Sequence, residues 1–74
     1  MTKLPVVSGI EVVRALERAG FVQVSVKGSH SKLRQPERRL TVIVPLHRRA
    51  PPRGTLASIL RQAELTADEL RQLL

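Results

Sequence analysis

The apolar positions change period along the chain, and each change marks an element. Ile10, Val12, Val13, Leu16 and Ala19 recur at helical spacing. Ser8 and Glu11 stand in the S-x-x-E spacing of a capping box, Val7 is placed to staple onto Val12, and Gly20 follows as a stop. This predicts a helix over residues 9–19. From there the period becomes two. In "FVQVSVK", Val22, Val24 and Val26 fall on one side and Gln23 and Ser25 on the other, as in a half-buried strand. Lys27, Gly28 and Ser29 read as a turn. "HSKLRQ" then puts His30, Lys32 and Arg34 on one face and Ser31, Leu33 and Gln35 on the other. "PERR" is a second turn, and "LTVIVP" a third strand rich in β-branched residues. Links this short require antiparallel hairpins.

Leu46 to Gly54 holds two prolines and three arginines and reads as an irregular basic loop. Thr55 is the expected cap of a helix with Leu56, Ile59, Leu60 and Ala63 on one face. "TADE", starting at Thr66, opens a short terminal helix, with Leu65 placed to staple onto Leu70. The order is α-β-β-β-α plus a short C-terminal helix. The expected class is α+β, with two helices on one face of a three-stranded antiparallel sheet. The other face is left open, and His30, Lys32 and Arg34 belong on it or along its edge. The 74 residues form one expected domain, 1–74, without repeats, linkers or low-complexity tracts. A chain of this size buries only about 60% of its unfolded surface, which leaves room for one small core and one site.

Composition narrows the chemistry. There is no cysteine, which excludes disulfides, thiolate metal sites and a cysteine nucleophile. One Phe and no Tyr or Trp make the core aliphatic and nearly exclude base stacking on aromatic platforms. No stretch approaches the roughly 20 apolar residues of a membrane span, and the N-terminal stretch has no apolar run long enough for a signal peptide. The expectation is a cytoplasmic chain with no membrane partner.

The net charge is +7, and the excess is local. Lys27, Lys32, Arg34, Arg38, Arg39, Arg48, Arg49 and Arg53 all lie in the middle of the chain, and Glu37 is the one acid among them. Elsewhere acids and bases balance. A polyanion is the natural partner of such a segment. The plainer alternative is a solvated, solubilising face.

A histidine on an open cationic strand suits RNA cleavage. RNA supplies its own nucleophile, the 2′-hydroxyl. The protein needs a group to take that proton, a group to protonate the leaving oxygen, and cations for the phosphate. Imidazole titrates in the right range for the proton work. Lysine and arginine can stabilise the extra negative charge of a pentacoordinate phosphate. Other chemistries fit less well. Two histidines without cysteine, with acids mostly on helices, make no convincing metal site. The carboxylates are too scattered for a glycosidase-like pair. No Gly-rich loop leads into a Lys-Ser or Lys-Thr pair. Ser29 and His30 are strand neighbours and point to opposite faces. From the pattern alone His30 also reads as an ordinary surface or hydrogen-bonding histidine and Gly28 as a turn glycine. His47 reads as a strand cap or a phosphate ligand.

Taken in series, "GFVQVSVKGSHSKLRQP", "TVIVPLH" and "GTLASILRQAELTADEL" resemble the signature blocks of the HicA toxin family, over about Val7 to Leu74. The resemblance implies a double-stranded-RNA-binding-domain-like fold and metal-independent cleavage of mRNA, with no cofactor. It also implies a HicB-type antitoxin partner, and leaves higher-order toxin–antitoxin assembly and the oligomeric state open. The family's catalytic histidine belongs to its Gly-Ser-His block, which maps to His30; the histidine after Val-Pro maps to His47. Around them, Lys32 and Arg34 are the first candidates for RNA contact, joined by Lys27, Gly28, Ser29, His47, Arg48, Arg49 and Arg53. The loop "RRAPPRG" departs from the family's pattern, which often has a lysine-rich or acid-containing loop without two prolines. The alternative on the same fold is a non-catalytic double-stranded-RNA-binding module. Such modules use a lysine-rich start to the last helix, whereas "TLASIL" has no lysine. A third reading is a small scaffold or ribosome-associated protein that uses its charge for adhesion.

Overall fold

A computed structural model describes residues 3–74. The elements run α1 (Gly9–Arg18), β1 (Val22–Lys27), β2 (His30–Gln35), β3 (Leu40–Pro45), α2 (Arg53–Ala63) and α3 (Ala67–Leu73). The strands form one antiparallel sheet in the order β1-β2-β3. This is the expected α-β-β-β-α arrangement of the α+β class.

Local sequence sets the ends of the helices. At α1 the Ser8 backbone N–H donates to Glu11 Oε1 at 2.9 Å, and the Glu11 N–H donates to Ser8 Oγ at 3.2 Å. The expected capping box is therefore complete. At the far end Gly20 takes φ +96°. Its N–H donates to the Glu17 carbonyl, and the Phe21 N–H to the Leu16 carbonyl. This is a Schellman closure, and it drops Phe21 straight into the core. Thr66 and Glu69 form the second expected capping box, at α3.

The helix α2 departs from expectation. It begins at Arg53, with Pro52 in the cap position and no side-chain cap hydrogen bond, so Thr55 is not the cap. Pro52, at φ −54° and ψ 150°, turns the chain into the helix, and its carbonyl accepts the first helical bond, from Leu56 N–H at 3.0 Å. The basic loop is shortened accordingly, to residues 46–52.

The core lies between the helices and one face of the sheet. Val12, Val13 and Leu16 of α1 meet Leu33 of β2, Val42 and Val44 of β3, Ile59 and Leu60 of α2, and Leu70 of α3. Ser31 is the one buried polar residue of the described chain; its Oγ donates to Gln23 Oε1 at 2.9 Å. No buried side-chain nitrogen or oxygen among the described residues lacks a partner, which a core this small requires.

The strand β1 corrects the sequence reading. Its valines do not form a core side: Val22, Val24 and Val26 are 55%, 50% and 50% exposed. Val22 pairs with Arg34 and Gln23 with Leu33, but Ser25 pairs with Lys32, which leaves Val24 as an extra residue. This β-bulge reverses the alternation partway along the strand. Directly paired residues share a face. Val22 therefore lies with Arg34 on the open face, while Val26, paired with Ser31, belongs to the opposite one.

Candidate nucleic-acid interface

The open face is laid out by register. Gly28, at φ +60°, is the first residue of the two-residue connection between Lys27 and His30. A Cβ placed on Gly28 would meet nothing within 4 Å, so glycine is needed there for its backbone angle and not for space. The tight turn makes Lys27 and His30 cross-strand partners. On its other side His30 pairs with Pro45. The next row of this face is Ser25, Lys32 and Ile43, and the one after it is Val22, Arg34 and Thr41. The central strand thus carries a column of His30, Lys32 and Arg34, all exposed, while Ser31 and Leu33 between them are buried. Sequence alternation placed these three correctly.

A shallow depression gathers Lys27, His30 and Lys32 with Ser25 and Ile43. No acid lies in it. The ion pairs among the described residues are Arg38–Glu64 at 2.7 Å and Asp68–Arg71 at 2.9 Å, both away from this face. Glu11 and Glu69 are bound into the caps of α1 and α3. Each is held below the ordinary carboxylate value, first by the backbone N–H of its cap residue and then by that residue's side chain. The acids thus lie at helix ends or in the β2–β3 turn, and among the described residues no acid pairs with a cation of the open sheet face. An array of this kind is electrostatically unfavourable alone and is relieved by a bound polyanion.

A second depression adjoins the first through the paired residues His30 and Pro45. Pro45, Ala50, Pro51 and Pro52 supply its apolar wall, Arg48 and Arg49 its charged side, and His47 also lines it. Backbone contacts fix the junction. Leu46 N–H donates to the Ser29 carbonyl, and Gly9 N–H donates to the His47 carbonyl at 3.3 Å. A Cβ on Gly9 would overlap the Pro45 carbonyl oxygen, so this close approach of α1 to the end of β3 requires glycine. The turn that carries His30 and the segment that carries His47 are thereby joined through backbone atoms.

The fold does not bring every expected residue to one place. Arg34 shares the open face but stands one row beyond the first depression. Arg53 lines neither depression; it lines a hollow with Lys3, Leu4, Pro5 and Leu56 that shares Ala50 and Pro51 with the second one. Sequence reasoning did not single out Ser25, Ile43, Pro45 or Gly9. Ser25 reaches the open face only through the bulge, and Gly9 looks like any residue of a helix's first turn. Among the described residues no three His, Cys, Asp or Glu side chains gather as metal ligands would, and no helix is long and apolar enough to cross a membrane.

A comparison with protein families matches residues 9–65 to the HicA toxin of bacterial toxin–antitoxin systems. The matched span includes both histidines, the whole sheet and the basic loop. No curated protein matches the chain.

Proposed function

The chain belongs to the HicA toxin family, and from that premise we propose that it is an endoribonuclease that cleaves mRNA without a metal and arrests translation and growth. The observation that carries this reading is the exposed His30 held between Lys27 and Lys32 in one depression free of acids. RNA laid across the open face puts a phosphate against the lysines. The His30 imidazole takes the proton of the neighbouring 2′-hydroxyl. The freed oxygen attacks phosphorus, and the lysines offset the charge of the pentacoordinate phosphate. The bond to the 5′-oxygen breaks, and that oxygen leaves with a proton from solvent, which reaches this open face freely. The products are a 2′,3′-cyclic phosphate and a 5′-hydroxyl. Arg34, Arg48 and Arg49 hold flanking phosphates, and Gly28 and Ser29 let the backbone come close to the strand of RNA. Arg53 belongs to the RNA path only at its far end.

The test is cleavage of an end-labelled mRNA fragment in excess chelator by the purified chain. Cutting in chelator with cyclic phosphate ends is expected. Activity that vanishes with chelator and returns with magnesium overturns the route. The lysine-free start of α2, "RGTLASIL", has Arg53 as its one cation and argues against a non-catalytic double-stranded-RNA module, since most of the positive charge lies on the strands, turns and loop.

As a toxin of a toxin–antitoxin family the chain has an antitoxin for a partner. The partner in this reading is a HicB-type protein that presents an acidic surface to the open face. Complementary charge speeds association and fixes register, and an interface of at least about 1,000 Å² hides His30 from RNA. Hydrogen exchange on the free and bound toxin checks this. Protection is expected over residues 27–35 and 46–52; protection confined to α1, with RNA still cut in the complex, rules out occlusion.

A further inference from the structure

Strand geometry and loop chemistry together leave a question about the bases. The open face holds phosphates well, but it has no aromatic side chain on which a base can stack. The second depression supplies what that face lacks. We propose that the depression walled by Ala50, Pro51 and Pro52 is a nucleoside subsite, which takes the unpaired base next to the scissile phosphate. This rests on the proposed cleavage of RNA at His30.

Three observations carry it. The first is position. Pro45 lines the depression and is the register partner of His30, so the subsite begins one strand away from the imidazole. A strand of RNA with a phosphate at His30 reaches the loop by the shortest way over Pro45, its neighbour in the sheet. The second is chemistry. The wall is apolar, and Arg48 and Arg49 stand on its charged side. Unpaired bases are commonly stacked on guanidinium planes as well as on aromatic rings, and the prolines add apolar surface beside those planes. The same arginines face the adjoining phosphates, so one group of residues serves both parts of a nucleotide. The third is rigidity. Pro51 and Pro52 are consecutive prolines, whose rings fix the backbone φ of the wall. Pro52 is fixed as the cap position of α2. Leu46 and His47 are held by backbone bonds to Ser29 and Gly9. A pre-formed wall loses little freedom when a base enters it.

The experiment uses short single-stranded RNAs with one cleavable site. In matched substrates the base on one or the other side of the scissile phosphate is replaced by an abasic sugar. Wild-type chain is expected to show KM raised about tenfold on one abasic RNA, with kcat little changed, as loss of a stacked base predicts. Ala50→Gln, at an exposed position, fills the depression without adding charge. It is expected to raise KM for the intact RNA similarly, and the same abasic change should then add nothing. Equal KM of the wild type for intact and abasic RNAs removes the subsite while leaving cleavage at His30 standing. If Ala50→Gln cuts all substrates like the wild type and loses only affinity for the antitoxin, the depression belongs to that protein and the proposal falls. If the folded wild type cuts no RNA under any condition, the function reading itself fails, and the subsite with it.

Discussion

The two faces of the sheet are built from alternate residues of the same strands and follow opposite rules. On the covered face Ser31, Leu33, Val42 and Val44 are fully buried, and the single hydroxyl among them is hydrogen-bonded. On the open face His30, Lys32 and Arg34 are exposed, and among the described residues no acid pairs with Lys32 or Arg34. The first face stabilises the fold; the second is tolerated by it. Residues one position apart on β2 should therefore separate stability from activity.

His30→Ala gives the largest expected effect on the open face. Loss of a general acid or base typically costs about 10²–10⁴-fold in rate. Cleavage of labelled RNA should fall by that range and growth arrest should be relieved, while thermal unfolding stays within about 0.5 kcal/mol of the wild type. Equal toxicity of the folded variant would take His30 out of the mechanism. Leu33→Ala, three residues on and facing inward, should do the reverse. Removing a fully buried leucine costs about 2–5 kcal/mol, against a total of roughly 4–11 kcal/mol for a chain of this length. Denaturant titration should show that loss, and cleavage per folded molecule should be retained. A Leu33→Ala chain that stayed as stable as the wild type would mean that the helices are not seated on this face.

Gly9→Ala tests where the two faces meet. The added methyl would overlap the Pro45 carbonyl, so the end of β3 must shift, at about 1–3 kcal/mol. Pro45 and His47 shift with it, so kcat should drop as well as stability. Salt sharpens the contrast further. Each phosphate contact on a single strand contributes a slope of about 0.7. Raising salt fourfold should thus weaken RNA binding roughly 2.5-fold per contact, and Lys32→Ala should lower the slope by about one contact. Binding that ignores salt would leave the open face without an electrostatic role.

The smallest effect lies away from the sheet, in the two capping boxes. Glu11 and Glu69 are held below their ordinary values by hydrogen bonds from Ser8 and Thr66. The unfolded chain therefore takes up protons first as pH falls. The contribution of these carboxylates is full above their ordinary titration range and is lost as pH drops through the folded values. Acid unfolding of Glu11→Gln should show a shallower pH dependence below about pH 5 than the wild type; an unchanged curve would mean that the cap does not feel the charge.

Much of this was legible in the chain. The S-x-x-E and T-x-x-E boxes, the Gly20 stop and the helical spacing of α1 act between residues at most about five apart, so the sequence itself contains both partners of each interaction. The clean alternation of β2 put His30, Lys32 and Arg34 on one face because Leu33 has to be buried. The same reasoning failed on β1. Its valines alternate as well as any strand, but nothing local records that Ser25 rather than Val24 faces Lys32. Thr55 looked like a cap because its residue type suits one, whereas Pro52 had already turned the chain.

Sequence alone determined the elements, the caps of α1 and α3, the absence of cysteine chemistry and the concentration of positive charge around both histidines. Tertiary structure decided which of those charges act together. Pairing across β2–β3 set Pro45 beside His30 and so joined the loop depression to the first one. The start of α2 carried Arg53 into the hollow behind the loop, so that it lines neither depression. The approach of Gly9 to Pro45 locked the turn and the loop into one frame. Register and close approach depend on atoms that are distant in sequence and meet only when the core closes, so no local pattern can encode them.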